Sequence, residues 1–135
     1  MAAINLNTIR KTIEDRLLTE LNEAPIIPVV FNNTPFEALT EDSFVQCLTD
    51  FGAGRYLAGG VNVVVGLVVL NIFTKEGVGI GANYVIGKRL RDLYNKITVS
   101  DVIFDSPIGP EVTTPSPEGK FQTQLRITFE IFEEL

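Results

Sequence analysis

Two features of the sequence could carry chemistry, and the first is a glycine-rich loop. Residues 77–82 read GVGIGA, the G-x-G-x-x-A spacing that lets a backbone approach a pyrophosphate at the start of a helix. Asp101 lies about 20 residues further on, where a dinucleotide-binding domain has its ribose-binding carboxylate. Such a domain needs several alternating β and α units, whereas most strands here follow one another directly. The sequence therefore favours a glycine connector between a strand and a helix, and a small nucleotide-binding domain is kept as an alternative.

The second feature is a set of carboxylates that could bind a metal ion or transfer protons. They are scattered along the chain: Glu37, Glu41, Asp42, Asp101 and Asp105. The chain has no histidine, so the commonest general base and metal ligand is missing. Its one cysteine, Cys47, lies in an alternating segment and is expected to be buried. The sequence therefore favours a solvated acidic surface, and we assign no catalytic residue, no metal site and no cofactor, although chemistry by less common routes is not excluded.

Composition places the chain among globular proteins of one domain. It has 135 residues, of which 45% are hydrophobic and 21% charged. The formal net charge of −6 disfavours nonspecific binding to DNA or to an anionic membrane, since both need a basic surface. The first residues lack the order of a signal peptide and instead predict an amphipathic helix, which indicates a protein made in a cytosol.

Hydrophobic periodicity predicts the elements that would position any site. An N-terminal helix capped by Asn5 or Asn7 should end at Ala24-Pro25. The elements that follow are strands at 26–31 and 44–51, a long strand at 61–73, a helix at 82–94, a strand within 97–104 and a strand at 121–132. The predicted fold class is α+β: two helices packed on a mostly antiparallel β-sheet, in the order α-β-β-β-α-β-β. We expect one domain over residues 1–135, with a Pro-rich loop at 105–119.

The long strand is unusual because both of its faces are apolar. It reads VNVVVGLVVLNIF, and its odd positions (Val63, Val65) are as hydrophobic as its even ones (Val64, Val68). A strand in an open antiparallel sheet of a small monomer should have one solvated face. This pattern therefore indicates that a partner subunit covers one side of the sheet.

Charge is distributed unevenly along the chain, which also favours self-association. Six acidic residues and no basic one lie between Arg16 and Arg55, whereas the second helix is basic and includes Lys88 and Arg91. Unlike patches on one surface suit head-to-tail contacts between copies. Lys88 and Arg91 are therefore candidate oligomer contacts.

Two loops are further candidates for contact with partners. The glycine-rich loop 52–60 holds Arg55, Tyr56 and Leu57, which are bulky anchors on an adaptable backbone. The Pro-rich loop holds Val112 and Pro115, and its prolines reduce the entropy lost when such an arm docks.

Three segments resemble a known family. They are IRKTIEDRL near the N-terminus, then APIIPVVFNNTPFE, then FVQCLTDFGAGRYLAGGVNVVVGLVVLNIFTKEGVGIGAN. They are similar to the small tail terminator (tail completion, or minor tail) proteins of long-tailed bacteriophages. The NTPF turn and the IFTKEGVGIG step are the most distinctive parts of this likeness.

The resemblance implies a structural protein of the virion and not an enzyme, found in the tail or neck and assembled in the host cytoplasm. Such proteins form a ring, typically a hexamer, that caps the tail tube, ends its polymerisation and provides the surface that joins tail to head. The implied partners are other copies of the chain, the tail tube protein and the head-tail connector proteins, with genomic DNA passing through the lumen without specific binding. A ring component of the head-tail connector or stopper is the alternative within the same class.

Overall fold

The computed structural model describes residues 3–31, 42–77, 80–113, 116 and 119–135. The elements are α1 Leu6–Leu21, β1 Val29–Phe31, β2 Phe44–Tyr56, β3 Val61–Lys75, α2 Gly81–Tyr94, β4 Thr98–Val99, β5 Val102–Phe104, β6 Ile108–Val112 and β7 Lys120–Glu134. The predicted fold class is confirmed, because two helices lie on a sheet whose strand pairs are antiparallel except for β1 with β2.

Helix α1 forms as its sequence pattern predicts. The side chain of Asn5 caps it by accepting a hydrogen bond of 3.1 Å from the amide of Thr8. Its buried positions are the four at i, i+4 spacing: Ile9, Ile13, Leu17 and Leu21. The helix ends at Leu21, earlier than the proline rule predicted. Arg89 of α2 binds the carbonyl oxygens around this helix end. Its guanidinium donates to the carbonyl oxygens of Glu20, Glu23 and Pro25 and pairs with the Glu20 carboxylate at 2.9 Å.

The sheet is built around β3, the long strand. The described strands have the order β1-β2-β3-β7-β5-β4, and β6 pairs with β7. Strand β3 pairs with β7 along its whole length, from Val61 opposite Glu134 to Lys75 opposite Lys120. On its other side it pairs with β2, from Phe44 opposite Phe73 to Tyr56 opposite Asn62. Residues on one face of β3 therefore have direct neighbours on two strands.

A β-bulge lengthens β2 beyond its predicted end. Phe51 lies opposite Gly66 and Gly54 lies opposite Val64, so that Gly52 and Ala53 together face Val65. The bulge lets β2 continue to Tyr56 and restores its pairing with β3. Much of the segment expected to be a glycine loop is therefore strand, and the turn itself is confined to 57–60.

The segment after α2 is also more regular than predicted. The strand expected within 97–104 is a hairpin of β4 and β5, joined by Ser100 and Asp101, whose φ angles are 46° and 73°. The Pro-rich loop contains strand β6, which pairs with β7 from Ile108 opposite Arg126 to Val112 opposite Thr123. Strands β5 and β6 have three and five residues, and neither contains the long alternating apolar run by which the longer strands can be predicted.

Both helices cover the same face of the sheet, here called the inner face. The core between them combines the buried stripe of α1 with Ile86, Leu90 and Tyr94 of α2 and with the even-numbered residues of β3 and odd-numbered residues of β7. The Tyr94 hydroxyl is buried and donates to the Ile13 carbonyl oxygen at 2.8 Å, which joins the two helices. The expected burial of Cys47 in this core is confirmed, since it is 2% exposed.

We expect the free energy of unfolding to fall as the pH rises from about 9 to about 12. Burial, and to a smaller extent the nearby Glu14 carboxylate, raises the pKa of Cys47 from 9.0 to about 12. Below pH 9 the thiol is neutral in both the folded and the unfolded state, so burial of the neutral thiol contributes fully to the free energy of unfolding. Above that pH the unfolded chain loses a proton that the folded protein keeps, so stability falls by about 1.4 kcal/mol per pH unit.

Urea unfolding at a series of pH values measures this slope, and Cys47→Ala is the matched control. The variant lacks the thiol, so its free energy of unfolding should decline less steeply above pH 9 than that of the wild type, whatever its stability at neutral pH. Equal slopes in the two proteins would contradict the assignment.

Candidate functional site

The face of the sheet turned away from the helices, here called the outer face, carries the unusual apolar residues of β3. Val65 is 43% exposed there, and Leu67 and Val69 are half-buried. The register places Leu48 of β2 directly beside Val69. Glu130 of β7 lies between Val65 and Ile103 of β5, so Ile103 is on the same face two strands away. We call these five residues the outer stripe: Leu48, Val65, Leu67, Val69 and Ile103. An apolar stripe that is partly exposed on a sheet face is typical of a surface that contacts another protein.

A ladder of three amides lies beside the outer stripe. Gln46, Asn71 and Gln124 are opposite one another on β2, β3 and β7. Gln124 donates to the side-chain oxygen of Asn71 at 3.1 Å, and Asn71 donates to that of Gln46 at 3.0 Å. The ladder satisfies the polar groups of Asn71, which is 6% exposed, and it fixes the pairing of three strands.

At its other end the outer stripe leads into a depression of about 390 Å³. Its lining mixes apolar and polar groups, and includes Val65, Ile103, Phe104, Thr128 and Phe129. Phe104 and Phe129 are only 3% and 2% exposed, so the accessible apolar surface comes mainly from Val65 and Ile103. Two acidic residues, Asp105 and Glu130, complete the lining. The depression therefore suits a side chain that is bulky and apolar at its base and polar or cationic at its tip.

The predicted anchors of the 52–60 segment lie at the tip of the β2–β3 hairpin. Tyr56 is 60% exposed and Leu57 is 43% exposed, and Arg55 is exposed beside them. The Tyr56 hydroxyl accepts a hydrogen bond of 3.1 Å from the amide of Gly60, which holds its ring across the turn. These side chains are accessible to a partner.

The two predicted contacts on α2 differ in their surroundings. The Lys88 side chain is 73% exposed and pairs with Asp92 at 2.6 Å, one turn further along the helix. Arg91 is half-buried, and its guanidinium donates to the carbonyl oxygens of Pro107 and Gly109 at 2.8 Å and 2.5 Å. Lys88 is accessible to another molecule, whereas Arg91 fixes the chain that leads into β6.

The predicted contact residues do not form one cluster. Val112 lies at the end of β6, is 51% exposed, and pairs with Thr123. Pro115 lies outside the described residues. Val112 is aligned through Thr123 with Ile72 of β3, whereas Arg55 is aligned with Val63 of the same strand. Ile72 and Val63 are nine residues apart, which is roughly 30 Å along the strand. The candidates thus occupy the two ends of the sheet and the helix layer.

Sequence reasoning missed a buried polar cluster centred on Asn83 of α2. The side-chain oxygen of Asn83 accepts from the Thr74 hydroxyl at 2.6 Å, and its amide donates to the Ile72 carbonyl and the Thr123 hydroxyl at 3.2 Å and 3.3 Å. All three side chains are buried. The burial of Asn83 could have been predicted from the sequence. Asn83 lies three and seven residues before Ile86 and Leu90, which places it on the same helix face as these two apolar residues.

The glycine-rich segment does not lie in the setting of a dinucleotide site. Strand β3, which precedes it, has antiparallel neighbours on both sides. Among the strands of the described part of the chain, β4, the first strand after α2, pairs with β5 alone. The parallel β-α-β unit that brings a helix N-terminus to a pyrophosphate is therefore not formed by these elements. Residues 78 and 79 of this segment lie outside the described ones.

A larger cleft of about 660 Å³ lies between the start of α1 and the β4–β5 hairpin. Ile9, Ile131 and Phe132 line it, and of its described lining residues Asp101 alone is titratable. Across the described ranges, no group of three or more Cys, Asp or Glu side chains could hold a metal ion. No helix among them is long and apolar enough to cross a membrane.

Comparison with known proteins gives information about the fold. Neither a family model nor a curated protein matches the chain. Among solved structures 18 chains match. One of them, whose name states no function, superimposes with a TM-score of 0.74 over 96% of this chain and 96% of its own, at 16% sequence identity. At that identity the likeness shows the α+β fold alone.

Proposed function

We propose that this chain is a tail terminator of a long-tailed bacteriophage, a structural protein that acts by binding geometry. Copies of the chain form a ring, a hexamer by the resemblance, which caps the tail tube, ends its polymerisation and presents the surface that joins tail to head. The single observation that carries the proposal is the outer stripe, because a two-layer sandwich with an open apolar sheet face is suited to burial against another subunit.

Two further features support the proposal. The first is the resemblance of the residues around the long strand to phage tail terminators. It rests on the sequence alone, so it supports the proposal independently of how exposed the outer stripe is. The net charge of −6 is compatible with a lumen through which DNA slides without adhering, because binding to the phosphate backbone requires cationic side chains. In this proposal the tail tube protein and the head-tail connector proteins are the ring's partners, and the neck of the virion is its location.

The proposal predicts that the protein limits the growth of tail tubes at substoichiometric amounts. A cap acts at tube ends, which are far fewer than tube subunits, so a small molar fraction should shorten the tubes markedly. Tube protein of the same virus is polymerised with increasing amounts of the purified chain, and tube length is measured by electron microscopy. An unrelated acidic protein of similar size is the control, and unchanged lengths at equimolar amounts would contradict the proposal.

A further inference from the structure

Helix α2 exposes a compact patch on the side away from the sheet. Val85 is 72% exposed and Tyr84 is 48% exposed, which is unusual for large apolar residues on a helix that covers a core. Lys88 lies three and four residues further on, so its ammonium shares one face with both. We call Tyr84, Val85 and Lys88 the α2 patch.

The depression on the outer face has the complementary properties. It is a concavity whose apolar surface comes mainly from Val65 and Ile103, whereas the α2 patch exposes Tyr84 and Val85. It also includes Asp105 and Glu130, whereas the patch carries Lys88. A tyrosine side chain has an apolar ring and a hydroxyl that donates to carboxylates. Tyr84 therefore fits the depression both in shape and in hydrogen bonding.

We infer that the α2 patch of one copy docks on the outer face of the next copy. The Tyr84 ring enters the depression, Val85 packs on the outer stripe, and Lys88 pairs with Glu130. This inference rests on the proposed function and names the surfaces that build the ring.

The position of the two surfaces in the fold makes such a contact repeatable. The α2 patch lies on the helix layer and the depression on the opposite side of the sandwich, so each copy can use both at once. A contact between two different surfaces is heterologous, and it generates a ring when the rotation closes. Both halves of the contact belong to this chain, and their charges are opposite, which favours a second copy over an unrelated protein as the occupant.

The intrachain partner of Lys88 does not oppose this contact. Asp92 pairs with Lys88 at 2.6 Å, but the two side chains are 58% and 73% exposed. Exposed pairs at i, i+4 spacing contribute little to stability, so the Lys88 ammonium can exchange or share its partner when a carboxylate of another copy approaches. Exchange of partners in this way is compatible with assembly that salt weakens.

Charge reversal tests the pairing of Lys88 with Glu130. Lys88→Glu alone places two acidic side chains together at every contact, and Glu130→Lys alone places two basic ones together. Each single variant should raise the concentration needed for half assembly at least about tenfold. An equimolar mixture of the two should assemble again, because alternating copies then make only unlike pairs. Light scattering measures the assembled mass, and the melting temperatures of both variants show that each is folded.

Disulfide trapping tests the same contact when association is weak. Tyr84→Cys and Thr128→Cys introduce one exposed thiol each, and the native Cys47 is buried. Under mild oxidation, the mixture should form the mixed disulfide faster than either variant forms its own dimer, even if the wild type is a monomer at the concentration used.

The outcomes separate this inference from the proposed function. Rings that form equally well in both single variants, a charge-reversed mixture that does not assemble, or the lack of a preferred mixed disulfide would each overturn the inference. The proposed function is judged separately by tube length. If one of these results overturns the inference while the wild-type protein still shortens tubes, the function is kept and only these surfaces are discarded. Restored assembly of the mixture together with the mixed disulfide would support the inference.

Discussion

Replacing Gly66 by alanine is expected to destabilise the protein by roughly 2–3 kcal/mol. A Cβ atom on Gly66 would lie 2.6 Å and 2.7 Å from the Cε2 and Cε1 atoms of Phe129, and closer still to Cζ. Phe129 cannot easily move, because it is 2% exposed and its ring contacts those of Phe51 and Phe104 at centroid distances of 5.9 Å and 6.1 Å. The glycine is required by close packing of this ring over β3, and not by its backbone angles.

Urea unfolding with a constant m-value measures the effect of Gly66→Ala. Gly52→Ala is the matched control, since a Cβ there would lie 3.4 Å from its nearest neighbour, an ordinary contact. The double variant Gly66→Ala/Phe129→Leu should lose less than the sum of the two single losses, because the smaller side chain removes the overlap. Additive losses, or a Gly66→Ala variant as stable as the Gly52→Ala one, would show that the ring does not constrain this position.

Replacing Asn83 by alanine is expected to cost about 3 kcal/mol, since it removes the centre of a buried polar cluster. The hydroxyls of Thr74 and Thr123 would lose their partner while remaining buried. Leaving buried polar groups without a hydrogen bond costs more than the bond itself contributes.

Asn95→Ala is the control for Asn83→Ala, because Asn95 follows the last residue of the same helix and is exposed. It should change the free energy of unfolding little. The two variants are compared by urea unfolding. Similar small losses in both would mean that water or neighbouring groups satisfy the threonine hydroxyls when Asn83 is absent.

Those parts of the fold that obey a regular hydrophobic period could be predicted from the sequence. The four buried residues of α1 and the inward-facing residues of β7 follow periods of 3.6 and 2, so tertiary packing agrees with the local pattern. Helix α2 departs from its pattern. Val85 is apolar and adjoins the buried Ile86 but is exposed, whereas the small or polar residues Asn83 and Gly87 are buried. Asn83 is buried because the sheet supplies its hydrogen bonds, and Gly87 because it lies against Pro110, where a Cβ would come within 2.7 Å of the ring.

The candidate site was only partly predictable. The sequence indicated that β3 has two apolar faces, and the hairpin-tip residues Tyr56 and Leu57, which it offered as contacts, are exposed. It could not indicate that Arg91 binds the carbonyls of Pro107 and Gly109, because a bond between residues 16 and 18 positions apart depends on how α2 meets β6. Nor could it reveal the depression, which exists because β5 and β6 pair with different parts of β7.

Imaging the ends of tail tubes shows whether this protein caps them. Tube protein of the same virus is polymerised with the purified chain, and the tube ends are classified by electron microscopy. We expect a closed ring of copies on one end of each tube, with growth stopped at that end. Bare ends on tubes of unchanged length, with the chain left in solution, would contradict it.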